Sequence, residues 1–489
     1  MLTTLLRLAG RAAASVALGL AVIGLGVWLY FLFYGAEPQV WHRAVLDEEF
    51  TAARAGEVMT VADYRRLEDR LFDQLRREVY AKVAPGNLAP FNRFAVGSRS
   101  DPGVWPVNWN RTFEITPDTP VGGVLLLHGL TDSPYSLRSL GAELGSRGFR
   151  VVGLRLPGHG TAPSGLLRFE VEDMEAATRL VMRDLRAKLG PDKPIFIVGY
   201  SNGAALAVSY SMSVLEGEPL PRPAGLVLIS PEIEISRLAV LGRLRTGISA
   251  LPGFARAAWQ SIELEVDPYK YQSFPFHAAG VVDRLTRRLG RRIDGLARSG
   301  PITGFPPVLA FLSTVDSTVH ADAVVHAFLG KLAPAGHELV LFDVNRYAAL
   351  QALLVEDPGP LTRQLLSMPR RPFALAVITN VDPGMQQVKE MRAEAGTQLQ
   401  TERPLELAWP LRVVSLSHVA LPFPPDDPLY GYELTGTTNH VQLGRVEVKG
   451  ENGVLRVPAW MLTRQRSNPF HSYLLTRTDE FIKKHSPAP

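Results

Sequence analysis

The pentapeptide Gly199-Tyr200-Ser201-Asn202-Gly203 follows a short apolar run, Ile195 to Val198, and precedes a helix-forming run, Ala204 to Val214. A serine in that setting can act as a nucleophile. Flanking glycines permit a crowded strand-to-helix turn that lifts the hydroxyl, and the N-terminal amides of the following helix face developing negative charge. In a chain with 42 glycines the pattern alone says little; the strand before it and the helix after it make it specific.

A serine hydroxyl is a poor nucleophile until a base takes its proton, so an orienting acid and a histidine are expected downstream in that order. Asp316, just past the apolar run Val308 to Leu312, is the expected acid, with Asp343 its main rival. His418, just past the run Arg412 to Leu416, is the expected base. His440 and His471 are the alternatives, His471 because it stands before a terminal helix over about Ser472 to Lys484. Two backbone donors are needed for a tetrahedral oxyanion. The amide of Asn202 is one and that of Leu130, in His128-Gly129-Leu130, is the other. His128 and His159 are read as structural hydrogen-bonding residues. No histidine pair has metal-ligand spacing, so no metal site is expected, and no glycine-rich phosphate loop is present.

These residues need a sheet to hold them. From about residue 110, β-rich runs alternate with helix-period segments, the pattern of a mostly parallel sheet covered on both faces. Strands are expected at Val124 to Leu127, Val151 to Leu154, Ile195 to Val198, Leu226 to Ile229 and Val308 to Leu312, then at His337 to Val344, Phe373 to Thr379 and Arg412 to Leu416. The segment of about 231–306 interrupts the rhythm as a cap, and about 337–410 as a second insertion. Val441 to Val448 and Val454 to Val457, around Asn452-Gly453, read as a hairpin.

Upstream, Val61, Tyr64, Leu67, Leu71, Leu75 and Val79 recur at spacings of three and four behind a Thr60-x-x-Asp63 cap, the mark of an amphipathic helix in segment 37–109 that packs on the main domain or serves as a stalk. Ala12 through Ala36 carries no charged residue, and about 20 apolar residues suffice to cross a bilayer. Residues 1–36 are therefore expected to form a transmembrane anchor. Arg7 and Arg11 before the run, and Glu37, Asp47, Glu48 and Glu49 after it, put the N-terminus in the cytoplasm and the catalytic domain, 110–489, in the periplasm or outside. The net charge of +4 is too small an excess to argue for nucleic acid, and the absence of cysteine excludes disulfide scaffolds and thiol nucleophiles.

With Leu125-Leu126-Leu127-His128-Gly129, Arg155-Leu156-Pro157-Gly158-His159-Gly160 and the turn around Ser201, the chain resembles the α/β-hydrolase superfamily, in its monoacylglycerol lipase, lysophospholipase and carboxylesterase branch. The resemblance covers about residues 110 to 320 well and the histidine end more loosely. It implies an α/β-hydrolase fold on an eight-stranded, mostly parallel sheet, ester cleavage through an acyl-enzyme, no cofactor, and a cap over the acyl pocket. An acyl ester or lipid is the expected substrate. Acyl transfer or peptide cleavage on the same triad, or a silent interaction protein of the same fold, are the alternatives.

Two departures stand out. Asn202 replaces the methionine common in that branch and alters the pocket wall, and the interval from Asp316 to His418 is far longer than usual, which implies extra secondary structure between acid and base. In the cap, Leu251, Phe254, Trp259, Tyr269, Tyr271, Phe274 and Phe276 could line an acyl site or simply pack. Arg284, Arg287, Arg288, Arg291 and Arg292 form a basic run that reads either as a solvated face or as a contact for anionic lipid.

Overall fold

The computed structural model describes residues 2–33, 36–83, 89–233, 255–316, 319, 321–347, 357–411, 413–433, 438–445 and 464–487. Its strands, in chain order, begin with β1 (Phe113–Ile115), β2 (Gly122–Leu127), β3 (Phe149–Leu154), β4 (Ile195–Tyr200) and β5 (Gly225–Ile229). The short β6 (Trp259–Ser261) and β7 (Phe274–Pro275) pair apart from the rest. The series ends with β8 (Val308–Ser313), β9 (His337–Phe342), β10 (Phe373–Asn380), β11 (Gln387–Ala393) and β12 (Gln400–Ala408).

A ten-stranded sheet results, in the order β1-β3-β2-β4-β5-β8-β9-β10-β11-β12. From β3 to β10 neighbouring strands run parallel, whereas β1, β11 and β12 are antiparallel. Both faces are covered, so the central strands are apolar throughout and split their side chains between two cores. In β2, Leu125 and Leu127 join the core under the helices Val171–Leu189, Asn202–Leu215 and Phe276–Leu296, while Val124 and Leu126 join the core under Arg138–Ser146 and His471–His485. Each such fully buried leucine or valine contributes about 1.5–3 kcal/mol relative to leaving it in water.

The strand expected at Arg412 to Leu416 is absent among the described residues. Both sides of β9 are already taken, by β8 and by the parallel β10, and β11 and β12 turn back antiparallel beyond it, so that segment has no place beside β9. Residues 413–417 run without regular structure, held by Asn345 N–H to the Val414 carbonyl at 2.7 Å and Asn345 Nδ2 to the Val413 carbonyl at 2.9 Å. The long interval between the expected acid and base thus extends the sheet itself, to ten strands where the resemblance implied eight. Of the expected hairpin, Val441 to Arg445 holds a short 3₁₀ turn, Leu443–Arg445, and the remainder lies outside the described residues.

The helix Val61–Glu78 forms with Thr60 and Asp63 as a reciprocal cap, and Val61, Tyr64, Leu67, Leu71 and Leu75 are buried. It is bolted to the sheet domain by Arg155. That fully buried guanidinium donates to Glu49 through both terminal nitrogens at 2.8 Å and to Glu68 at 2.9 Å. Planar, two-pronged pairing of this kind satisfies a guanidinium in a site without water.

At the N-terminus the backbone is one helix, Leu2–Phe33, whose described side chains, Val16, Leu18, Val22 and Ile23 among them, are exposed. Some of its side chains, Trp28 and Phe31 included, lie outside the described residues, and among the described residues no helix is long and apolar enough to cross a membrane. The described residues therefore lend no support to the span expected over 12–36. The basic run on Phe276–Leu296 is largely neutralised: Arg284 pairs with Glu170, Arg287 with Asp283, Arg288 with Glu172 and Glu175, and Arg292 with Glu216.

Candidate active site

Strands that run parallel deliver the residues after their C-terminal ends to one edge of the sheet, which is where function collects in such folds. His128-Gly129-Leu130 follows β2, Ser201 follows β4, Glu232 follows β5, Asp316 follows β8 and Asp343 follows β9.

Ser201 sits in the turn between β4 and the helix Asn202–Leu215 with φ +55° and ψ −118°, a strained conformation that L-residues avoid. The turn is held from below. Ser201 N–H donates to the Ile229 carbonyl of β5 at 2.9 Å, and the Ser201 carbonyl accepts from Ala204 and Ala205 at 2.9 and 3.2 Å. The flanking glycines are steric necessities: a methyl on Gly199 would lie 2.5 Å from Ala204 Cα, and one on Gly203 would lie 2.1 Å from the Leu127 carbonyl oxygen.

The structure brings Asp316 and His418 together. Although separated by a long stretch of chain, His418 Nδ1 and Asp316 Oδ2 lie 2.8 Å apart, and both residues are buried. Asp316 is itself fixed by accepting from Val319 N–H at 3.0 Å. His418 opens a 3₁₀ turn, His418–Ala420, where its ring lies 5.4 Å from that of Tyr200 and its carbonyl accepts from Tyr200 Oη at 3.3 Å. Tyr200 immediately precedes Ser201, so His418 packs on the residue that leads into the serine turn.

The residues expected to donate to an oxyanion flank the same turn. A methyl on Gly129 would lie 3.2 Å from Ser201 Cβ, which puts the loop after β2 against the serine. Neither the Leu130 N–H nor the Asn202 N–H has a hydrogen-bond acceptor among the described residues. The side chain of Asn202 departs from expectation. It is wholly buried with Nδ2 3.5 Å from Met174 Sδ, so among the described residues it packs against Val171–Leu189.

The rival residues are otherwise engaged. Asp343 accepts from Arg346 at 2.8 and 3.0 Å, from Thr379 Oγ1 at 2.9 Å and from Val344 N–H at 2.8 Å. His440 stacks on Trp105 with centroids 4.0 Å apart. Burial lowers the imidazole of His471 to about 4, and that ring begins the last helix. His128 bonds the Gly129 carbonyl at 2.8 Å and accepts from Leu156 N–H at 3.0 Å, while His159 bonds the Pro157 carbonyl at 2.9 Å, the structural roles expected of both.

Sequence reasoning missed two buried carboxyls at this edge. Glu232 donates its backbone N–H to the Ser201 carbonyl at 3.4 Å, and burial, with a smaller contribution from the Asp316 charge, pushes its side chain up to about 7. Burial likewise pushes Asp132, two residues past Leu130, up to about 7. A carboxylate directly after an apolar run, in Ser230-Pro231-Glu232, was the available signal. Among the described residues no cluster of three or more His, Asp or Glu side chains is arranged to hold a metal ion.

Residues 124–350 match the model of the Alpha/beta hydrolase family, and the sheet is that of an α/β hydrolase, mostly parallel with helices on both faces. The chain is 26% identical over 198 residues to a thermostable monoacylglycerol lipase of Bacillus sp. strain H-257, covering 40% of this chain and 71% of that one. It is 26% identical over 280 residues to a monoacylglycerol lipase of Mycolicibacterium smegmatis, covering 54% and 89%. A solved structure of metagenome-derived lipolytic enzymes overlaps with a TM-score of 0.39 and 22% identity over 48% of this chain and 88% of that one.

Proposed function

We propose that the chain is a serine hydrolase that cleaves carboxylic esters of acyl or lipid type, with Ser201 as nucleophile, His418 as base and Asp316 as the acid that orients it. The observation that carries this reading is the buried Asp316–His418 contact of 2.8 Å seated on Tyr200, beside the strained serine turn. With Nδ1–H donated to the carboxylate, Nε2 keeps its lone pair and takes the Ser201 hydroxyl proton as Oγ attacks the ester carbonyl. The Leu130 and Asn202 amides receive the oxyanion. Collapse breaks the carbon–alkoxy bond, His418 returns the proton to the departing alcohol, and water then releases the acid by the same steps. The monoacylglycerol lipases among the relatives support an acyl ester as substrate.

The test is labelling by a serine-directed fluorophosphonate together with turnover of an ester chain-length series. Both are expected in the full chain and both are expected to vanish in Ser201→Ala. Labelling that persists at another serine in the variant overturns the assignment.

We also propose that residues 1–36 attach the enzyme to a membrane, N-terminus cytoplasmic and catalytic domain outside. The charge-free run Ala12 to Ala36, the arginines before it and the exposed apolar side chains of Leu2–Phe33 support this. Full-length protein is expected to stay with the membrane pellet after an alkaline carbonate wash and to be digested when protease is added to spheroplasts. Release into the wash, or protection from protease, contradicts it.

A further inference from the structure

The short strand β6 contributes to two cavities. Its Ser261 lines one of about 260 Å³, whose wall also holds Thr131, Val419, Lys270 and Arg464. Thr131 follows Leu130 and Val419 follows His418, so this space belongs to the site already described. Of the cap aromatics expected to line an acyl site, Tyr271 and Phe274 line it, while Tyr269 stacks on Tyr135 at 4.3 Å; Leu251 and Phe254 lie outside the described residues. Trp259, packed on His42 at 4.8 Å, lines the other cavity, of about 340 Å³.

The wall of this second cavity includes Arg43, Arg168 and Ser164, with His42 and His277, and no carboxylate. Neither the Arg43 nor the Arg168 guanidinium has a hydrogen-bond or ion-pair partner among the described residues, in contrast to the arginines of Phe276–Leu296, which are paired with acids. The hydroxyl of Ser164, a residue only 3% exposed, is likewise without a partner. The two histidines are occupied. His42 accepts from Gln39 N–H at 2.9 Å and lies 2.9 Å from Ser273 Oγ, and burial, with Arg43 second, lowers it to about 3, so it stays neutral. His277 bonds the Phe169 carbonyl at 2.9 Å, and Glu170, 3.7 Å from it, is taken by Arg284. What the cavity offers is two guanidinium forks and one hydroxyl donor, a set that suits an anion with several acceptor oxygens.

Its place in the chain selects among anions. Pro38, buried in the wall, stands two residues after Ala36, where the charge-free N-terminal run ends, and two residues of chain span at most about 7 Å. The headgroup layer on each side of a bilayer is about 5–8 Å thick. With residues 1–36 in a membrane, this wall therefore stands at the depth of the lipid phosphates. A phosphodiester that also carries choline fits poorly, since the lining has two unpaired cations and no carboxylate for the ammonium. His42 also links the two cavities, because its partner Ser273 lies between Gln272 and Phe274 of the cavity beside the serine turn.

We propose that the cavity bounded by Pro38, Arg43, Ser164 and Arg168 binds the phosphate of an anionic membrane phospholipid, as a docking site separate from the catalytic cavity. This rests on the reading of residues 1–36 as a membrane attachment and deepens it, since a headgroup held here sets the height of the catalytic cavity above the bilayer.

The experiment is native mass spectrometry of the full-length protein in a non-ionic detergent, titrated with the dioctyl ether analogues of phosphatidylglycerol and phosphatidylcholine, which no esterase consumes, and with inorganic phosphate as competitor. Phosphatidylglycerol is expected to bind about tenfold more tightly than phosphatidylcholine, and that preference is expected to disappear in Arg43→Gln/Arg168→Gln and to fall about threefold in Ser164→Ala. Arg464→Gln, in the other cavity, is expected to keep it. Equal binding of the two lipids overturns the proposal without recourse to any variant. So does a preference that survives the double arginine variant, or one lost in Arg464→Gln alone, which would put the lipid in the catalytic cavity. Displacement of the lipid by an equal concentration of inorganic phosphate would assign the cavity to a free anion, and also overturns it. Release of the full-length protein into the alkaline wash defeats the membrane attachment and the docking site with it, whereas retention in the pellet with no lipid preference defeats the docking site alone.

Discussion

Asp316 and Asp343 stand one strand apart on the same edge of the sheet, past the ends of β8 and β9, and both are buried. Their surroundings differ in one respect that matters. Asp343 is saturated by a cation that keeps its charge at any pH of interest, Arg346, with Thr379 and a backbone amide filling its remaining sites. Asp316 instead faces an imidazole, which can gain and lose a proton. A carboxylate against guanidinium can only hold structure together, whereas one against imidazole can orient a base and stabilise the imidazolium formed in the transition state. Position at the strand end is thus common to both residues, and the partner separates their roles.

The sharpest way to break this contrast is activity. Asp316→Asn is expected to lower kcat by about 10⁴-fold while leaving the fold intact, since the amide holds the imidazole in the wrong tautomer. His418→Ala is expected to cost at least as much, whereas His440→Ala and His471→Ala are not. Asp343→Asn is expected to change kcat by less than about threefold, because its bonds go to Arg346, Thr379 and the Val344 amide rather than to His418. Steady-state kinetics on one soluble ester, with circular dichroism to check folding, decides the matter. A large loss in Asp343→Asn beside a normal Asp316→Asn would move the acid to β9.

Stability should show the reverse order. Asp343→Ala takes from the half-buried Arg346 the buried carboxylate it pairs with, while the more exposed Asp357 remains beside it, and is expected to cost about 3 kcal/mol in denaturant unfolding. Asp316→Ala should cost less, since the remaining imidazole can stay neutral. Equal losses would mean that the two pairs are alike in kind.

How much of this could be read from the chain depends on how local the cause is. The parallel strands from β2 through β10 follow from short apolar β-rich runs, and Ser201 from the glycines that its turn cannot do without. Asp316 and His418 could be named because each follows an apolar run, but the reason was sound only for Asp316. Residues 413–417 are not a strand, and His418 reaches its place on a loop tied to Asn345 and beside Tyr200. Which strands neighbour β9 is a matter of long-range pairing that local apolarity does not encode. That the side chains of Arg464, Lys270 and Glu232 have no hydrogen-bond or ion-pair partner among the described residues was illegible for the same reason: a charge in sequence does not reveal whether the fold supplies an opposite one.

Glu232 extends the comparison to a third carboxyl on this edge, past the end of β5, and supplies the smallest expected effect. Asp316 has an imidazole and Asp343 a guanidinium, whereas the Glu232 side chain has no donor among the described residues. Burial first, and the Asp316 charge second, raise it from 4.5 to about 7. The folded chain therefore holds a proton that the unfolded chain releases, so this group's contribution to stability is fully present below pH 4.5 and is lost as pH rises through about 7. Glu232→Gln cannot ionise and escapes that loss. Relative to wild type it is expected to be near neutral at pH 4.5 and more stable by about 2 kcal/mol at pH 8.5, below the ceiling of about 3 kcal/mol that such a shift sets. Because Asp316 contributes part of the rise, the gain should shrink when Glu232→Gln is made in an Asp316→Asn background. Denaturant unfolding of the four chains at pH 4.5, 6.5 and 8.5 measures both effects. A gain that is the same at every pH would mean that Glu232 is already ionised in the folded chain, and a gain untouched by Asp316→Asn would mean that the two carboxyls do not sense each other.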